Sequence, residues 1–285
     1  MPAPDGWERV NRSNPCPICE KPDWCLVKRD GTLAVCTRTE SDKPFGKNAA
    51  GWIHRVGMEP LAIPRRTQPR PPKKPSIPAG QLAATYRAGM TSEKLDLLMV
   101  SLQVSLASLK RLGVGYSSEH KSWTFPMYDE HAQVIGLRLR LENGKKISLT
   151  GSRSGLFIPF DLADGRMTLV CEGPTDLAAL LDLGFEAIGR PDNQSCLQML
   201  TNYCLRRRGM VVIICDKDKR DTAAEKSTRR GAELLASGLA TKDRKVKIIR
   251  PPGPYKDVRQ SVKSGMGRGV YECLIAAANF WKGLA

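Results

Sequence analysis

The sequence predicts an α/β protein in three parts: a small N-terminal β unit around clustered cysteines, an α+β segment rich in basic residues, and a parallel-sheet α/β domain. Three observations carry this. Four of the nine cysteines fall between positions 16 and 36. From residue 167 onward, apolar strands alternate with helical stretches, a rhythm that places helices on both faces of a parallel sheet. Two of those strands, in VCEGPTD (170–176) and VVIICDKD (211–218), run straight into acid.

Charge narrows the partners. The chain carries 45 Lys and Arg against 29 Asp and Glu, a formal net charge of +16. Counterion release makes such an excess favour a polyanion. No apolar run approaches the ~20 residues of a membrane span, and residues 1–10 are polar, without the apolar stretch of a signal peptide. The expectation is a cytoplasmic protein with no membrane partner, in a reducing compartment where clustered cysteines bind metal. Cys171, Cys196, Cys204, Cys215 and Cys273 lie in apolar segments and are expected to be small buried hydrophobes. No P-loop signature occurs, which excludes an ATP-driven helicase domain.

Residues 1–57 form the first domain. The spacing is Cys16-x2-Cys19-x5-Cys25-x10-Cys36, and a two-residue gap lets both thiolates of one knuckle face the same ion. Asp30-Gly31 is a strong hairpin signal. A hairpin closing there sets Val27 against Ala34 and Cys25 against Cys36. Opposed residues share a face at about 5 Å between Cβ atoms, so Cys16, Cys19, Cys25 and Cys36 can complete a structural Zn²⁺ site. His54 offers a second set, with Cys16, Cys19 and Cys36. Trp7, Trp24 and Trp52 are available for stacking on bases.

Residues 58–80 hold seven prolines and no acid after Glu59, a basic, semi-extended linker. Residues 81–160 follow as the α+β segment. LDLLMVSL and SLASLKRLG have helical spacing; WTFPMYD, VIGLRLRL and 145–149 read as strands. Arg138 and Arg140 alternate with apolar residues and share one strand face, with Lys145 and Lys146 close behind. Residues 161–264 carry the strand–helix alternation: strands at MTLVC, EAIG, MVVIIC and KVKIIR, and helices over 174–183, 195–207, 222–237 and 257–264. Residues 265–285 are expected to be a C-terminal helix.

In a parallel sheet the carboxyl ends of the strands open onto the ligand crevice. Glu172, Asp216 and Asp218 gathered there would repel one another unless a cation sat between them. Carboxylates are hard ligands, so that ion is expected to be Mg²⁺ or Mn²⁺. Asp176 follows Glu172 closely enough to cap helix amides or join the site, and Asp221 is the expected cap of the later helix.

The EG-x-x-D string at 172–176 and the D-x-D string at 216–218 resemble the TOPRIM domain of bacterial primases, topoisomerases and some nucleases. In that family the glutamate is proposed as general acid or base and the D-x-D pair binds metal; Glu172, Asp216 and Asp218 match one for one. WTFPMYDEHAQVIGLRLR followed by KKISLTGSRSGLF is similar to the amino-terminal half of the catalytic core of bacterial and phage DnaG-type primases. Lys256-Asp257 resembles the KD string that follows TOPRIM there. The ribbon departs from the family in lacking a second C-x-x-C, with Thr39 in the last cysteine's place.

The resemblance implies a DNA primase with a zinc-ribbon template-binding domain, a basic core subdomain and a TOPRIM domain, making short RNA primers on single-stranded DNA. It implies nucleoside triphosphates and single-stranded template as partners, with a replicative helicase or polymerase beside them. Arg138, Arg140, Lys145, Lys146, Asp176, Lys217 and Lys256 form the expected nucleotide- and nucleic-acid-binding set. The short tail after Gly265 points to a compact primase of a mobile element. Two other readings stay open: a TOPRIM nuclease of a mobile element or defence system, and a non-catalytic, zinc-bearing nucleic-acid-binding accessory protein.

Overall fold

The computed structural model describes residues 3–45, 50–56, 77–165, 167–240 and 244–282. The chain divides into two compact units, Met1–Pro72 and Lys73–Ala285. Most of the linker expected at 58–80 lies outside the described residues.

The first unit is an antiparallel sheet in sequential order: β1 (Trp7–Arg9), β2 (Leu26–Lys28), β3 (Leu33–Cys36) and β4 (Trp52–Arg55). Val27 pairs with Ala34 and Leu26 with Val35, so Cys25 stands opposite Cys36 as the hairpin arithmetic requires. The tip differs from the two-residue turn. The Gly31 amide donates to the Lys28 carbonyl at 2.8 Å, and Gly31 alone has a left-handed φ, +69°. The Asp30 carboxylate closes the wider turn by accepting from the Thr32 amide at 3.0 Å. The apolar core is tiny, chiefly Val10 with Cys16, Cys25 and Cys36, too small to hold a fold without a metal. Trp7 packs edge-on to Phe45, whereas Trp24 is 72% exposed.

The second unit opens with three helices, α1 (Ala79–Ala88), α2 (Ser92–Leu102) and α3 (Leu106–Arg111). α1 begins inside the expected linker, directly after Pro78; a proline at the start of a helix is tolerated because first-turn amides have no intrahelical acceptor. Thr91 and Ser105 cap α2 and α3 through their side chains. An antiparallel sheet follows: β5 (Gly115–Ser117), β6 (Ser122–Tyr128), β7 (Val134–Leu141) and β8 (Lys146–Ser148). Along β7, Leu137 and Leu139 are buried, which turns Arg138 and Arg140 to the opposite face.

The parallel sheet has strand order β10–β9–β11–β12, from β9 (Met167–Glu172), β10 (Ala187–Arg190), β11 (Met210–Ile214) and β12 (Val246–Ile249). Alternate residues feed two cores. Leu169, Cys171, Val212 and Ile214 pack in the core that contains α4 (Gly173–Asp182). Val170, Ile188, Val211 and Ile213 pack in the core that holds residues of α5 (Leu197–Leu205) and α6 (Ala223–Ala240). The last helices are α7 (Val258–Lys263) and α8 (Arg268–Ala277). Thr222 caps α6, its hydroxyl accepting from the Glu225 amide at 3.2 Å. Asp221, the expected cap, instead has a left-handed φ of +61° one residue earlier. Cys273 is exposed on α8 and Cys196 half-buried, contrary to the buried role expected of both. The chain enters α8 through Gly267 and Arg268, later than the 265 boundary.

Leu156 and Phe157 join the two sheets of this unit. Leu156 exchanges backbone hydrogen bonds with Tyr128 at the end of β6, and Phe157 does so with Gly189 on β10. This seam brings the arginine face of β7 to the carboxyl ends of the parallel strands.

Candidate active site

In the first unit, the four cysteine sulfurs lie within 4.8 Å of one another. Two sulfurs 2.3 Å from a tetrahedral zinc stand about 3.8 Å apart; Cys19 and Cys25 Sγ are 3.7 Å apart. The donor set fits structural zinc. The amides of Arg38 and Thr39 donate to Cys36 Sγ at 3.4 and 3.2 Å, so Thr39 supports the site through its backbone where the motif lacks a cysteine. His54 lies apart from the cluster, its Nε2 2.9 Å from the Thr39 carbonyl.

The acidic site forms where the parallel sheet changes direction. The chain steps from β9 outward to β10, then returns past β9 to β11, leaving a crevice at the carboxyl ends of β9 and β11. Glu172 ends β9 and is the residue before α4. Gly173 makes the sharp turn between them with φ +81°, a conformation open to glycine at no steric cost. Asp176 sits in the first turn of α4, almost fully buried, and accepts from the Arg259 amide at 2.8 Å. Asp216 lies just beyond β11, held there because Cys215 N donates to the Ile249 carbonyl and Lys217 N to the Lys256 carbonyl.

Glu172, Asp176, Asp216 and Asp257 line one cavity of about 240 Å³. Arg138, Lys146, Lys256 and Arg259 line the same cavity. Burial, then the neighbouring Asp176 and Glu172, pushes the Asp216 carboxyl up to about 8. Burial and the Asp257 carboxylate push Asp176 up to about 7, and burial also raises Glu172. Asp216 Oδ1 is buried with no hydrogen-bond partner among the described residues. Acids this crowded, with an orphaned oxygen, fit a hard divalent cation. Glu172 and Asp216 line the cavity where such an ion would sit and Asp218 does not; among the described residues only the four cysteines bring three or more ligand atoms together. Asp218 lies at the rim, paired with Lys256 Nζ at 2.9 Å, and that bond holds its carboxyl below the usual range.

The structure separates the expected binding set. Arg138, Lys146, Asp176 and Lys256 line the cavity, and Arg138 Nε is buried without a hydrogen-bond partner among the described residues. Arg140 shares the Arg138 face, but its Nη1 reaches the Gly144 carbonyl at 3.5 Å and it does not line the cavity. Lys145 is exposed outside it. Lys217 turns to the Gly253 carbonyl, 2.5 Å from its Nζ. Alternation explains the last case, since consecutive residues of an extended chain face opposite ways. Sequence reasoning missed Arg259, Asp257 as a lining acid, and Arg190. Asp257 stands only in the Lys256-Asp257 string and the two arginines belong to no motif; the packing of α7 against α4 and the pairing of β10 with β9 place them near the acids.

No protein-family model and no curated protein matches the sequence. The fold does match solved primases. The zinc-binding and RNA polymerase domains of Aquifex aeolicus primase align over 98% of this chain and 80% of theirs, at 16% identity and a TM-score of 0.56. The E. coli primase catalytic core aligns over 71% and 79%, also at 16% and 0.56. A DnaG primase catalytic domain bound to single-stranded DNA aligns over 71% and 78%, with the same identity and score. The chain thus has the mixed α/β fold of primase cores, with the small cysteine-bearing β unit ahead of it. Among the described residues no helix is long and apolar enough to cross a membrane.

Proposed function

We propose that this protein is a DNA primase of the DnaG type, whose TOPRIM site joins ribonucleotides into short primers on single-stranded DNA in the cytoplasm. The observation that carries the reading is the single cavity in which Glu172, Asp176 and Asp216 meet Arg138, Lys146 and Arg259. Acid without base would serve a metal alone; base without acid would serve a phosphate alone. Both together suit a nucleoside triphosphate that arrives with its ion.

Glu172, Asp216 and Asp218 would hold Mg²⁺ or Mn²⁺, which supplies charge neutralisation at the reacting phosphate. Arg138, Lys146 and Arg259 bind and orient the triphosphate oxygens. The 3′ hydroxyl oxygen of the primer bonds to the α-phosphorus, the bond to the bridging oxygen breaks, and pyrophosphate leaves. Glu172, whose burial raises its proton affinity, takes the hydroxyl proton. Lys256 keeps Asp218 ionised through their ion pair. The four-cysteine unit, with Trp24 exposed beside its knuckle, engages the template by stacking. A replicative helicase or polymerase would work beside it.

The test is incubation with single-stranded DNA, Mg²⁺ and labelled ribonucleoside triphosphates. Wild-type protein should extend a labelled product, and Glu172→Gln should slow it roughly 100- to 10 000-fold while binding DNA as before. Shortening of the DNA in place of synthesis would assign the carboxylates to a nuclease. Synthesis by Glu172→Gln at the wild-type rate would sink the assignment.

A further inference from the structure

Arg190 ends β10 at the same sheet edge as Glu172 and is its register partner on the neighbouring strand. Partners on parallel strands stand about 4.8 Å apart and project to one face, so the guanidinium and the Glu172 carboxylate share that face. Arg190 is 0% exposed. Its Nη1 donates to the Asn193 carbonyl at 3.0 Å; Nε and Nη2 have no hydrogen-bond partner among the described residues. Among the described residues no carboxylate bonds to it directly, and a buried cation left so is costly. The group that faces it is the Glu172 carboxylate, its register partner, and the guanidinium works against the rise that burial imposes on Glu172 and, more weakly, on Asp216.

The loop that holds Arg190 is itself tied to the acids. Asn193 Nδ2 donates to Thr228 Oγ1 at 2.8 Å, and Thr228 Oγ1 donates to Asp218 Oδ2 at 2.8 Å. Thr228 is 2% exposed. α6 passes so close that a Cβ on Gly231 would stand 1.9 Å from the Asn193 carbonyl oxygen. The loop whose Asn193 carbonyl accepts from the guanidinium is thus held between α6 and the Asp218 carboxylate.

We propose that Arg190 is a built-in cation of the carboxylate site, a positioning residue that neutralises part of the cluster when no ion is bound and holds down its affinity for divalent cations. The inference rests on the metal reading of Glu172 and Asp216. It separates what the acids bind from how tightly they bind it.

Full-length protein that keeps its zinc, freed of other divalent ions, is titrated with Mn²⁺ at pH 8.5, free Mn²⁺ being read by electron paramagnetic resonance. Arg190→Met should bind roughly ten- to a hundredfold tighter than wild type, the effect of removing one charge near a divalent ion in a semi-polar interior. Arg190→Lys, which keeps the charge, should bind like wild type. If Arg190→Met melts too early to titrate, its Mn²⁺-induced rise in melting temperature must exceed that of wild type. Equal or weaker binding by Arg190→Met, tighter binding by Arg190→Lys, or an Arg190→Met chain still unfolded in saturating Mn²⁺ would each overturn the proposal. Wild-type protein that takes up no Mn²⁺ would overturn the metal reading with it; normal wild-type uptake with an unchanged Arg190→Met fails this inference alone.

Discussion

Replacing Asp216 with Asn should make the metal-free protein more stable. In the unfolded chain the carboxyl titrates near 3.8; in the fold, burial and the adjacent Asp176 and Glu172 raise it to about 8. The folded protein thus holds this proton more tightly than the unfolded chain does. The stability it contributes is complete below about pH 3.8 and is withdrawn as pH rises through about 8. Each unit of difference is worth about 1.4 kcal/mol. Water entering the cavity shares the charge, which brings the loss at pH 8 to about 2–5 kcal/mol. Asp216→Asn keeps the shape and carries no charge, so it avoids that loss. For a domain of this size the gain corresponds to roughly 5–15 °C in Tm. Thermal melts in EDTA at pH 8 should show it, and the gap should close as pH falls to 4. Saturating Mg²⁺ should raise the wild-type Tm and leave Asp216→Asn unmoved. An Asn variant melting at or below wild type at pH 8 without metal would refute the view that Asp216 is a strained, cation-seeking acid.

Two further outcomes test the neighbouring sites. Cys25→Ser should lose bound zinc and the cooperative unfolding of the first unit, whereas His54→Ala should keep its zinc at a cost of about 1 kcal/mol or less, the worth of its bond to Thr39; metal content and circular dichroism read both. Arg138→Ala removes a charged donor from the cavity wall and should raise KM for nucleotide about tenfold with kcat little changed, seen in steady-state primer synthesis.

The zinc-type site shows how far local pattern reaches. Cys25 and Cys36 belong to one hairpin, so counting back from Asp30-Gly31 was enough to bring their sulfurs together, even though the turn at the tip is wider than the one assumed. His54 lay farther along the chain as the other possible ligand, and its exclusion depended on β4 lying against β3 with the imidazole turned to the Thr39 carbonyl. For the acids, Glu172 and Asp216 each end a strand, and strand ends are visible as apolar runs that stop. Their crowding into one cavity is not visible that way, because it depends on β9 and β11 being neighbours although β10 lies between them in the chain.

The element types, the acid-tipped strands, the pairing of Cys25 with Cys36 and the basic face of β7 were legible along the chain, because all rest on periodicities of two to four residues or on a single turn. Which charges reach the acids depends on packing. Lys217 left the site because its neighbour Asp216 faces the cavity, Arg140 stayed outside while Arg138 entered, and Arg190 and Arg259 arrived from elements whose own strings gave no sign of it. The reason is physical: backbone pattern fixes the side of an element on which a residue lies, but the field at a carboxylate is summed over every strand and helix packed around it.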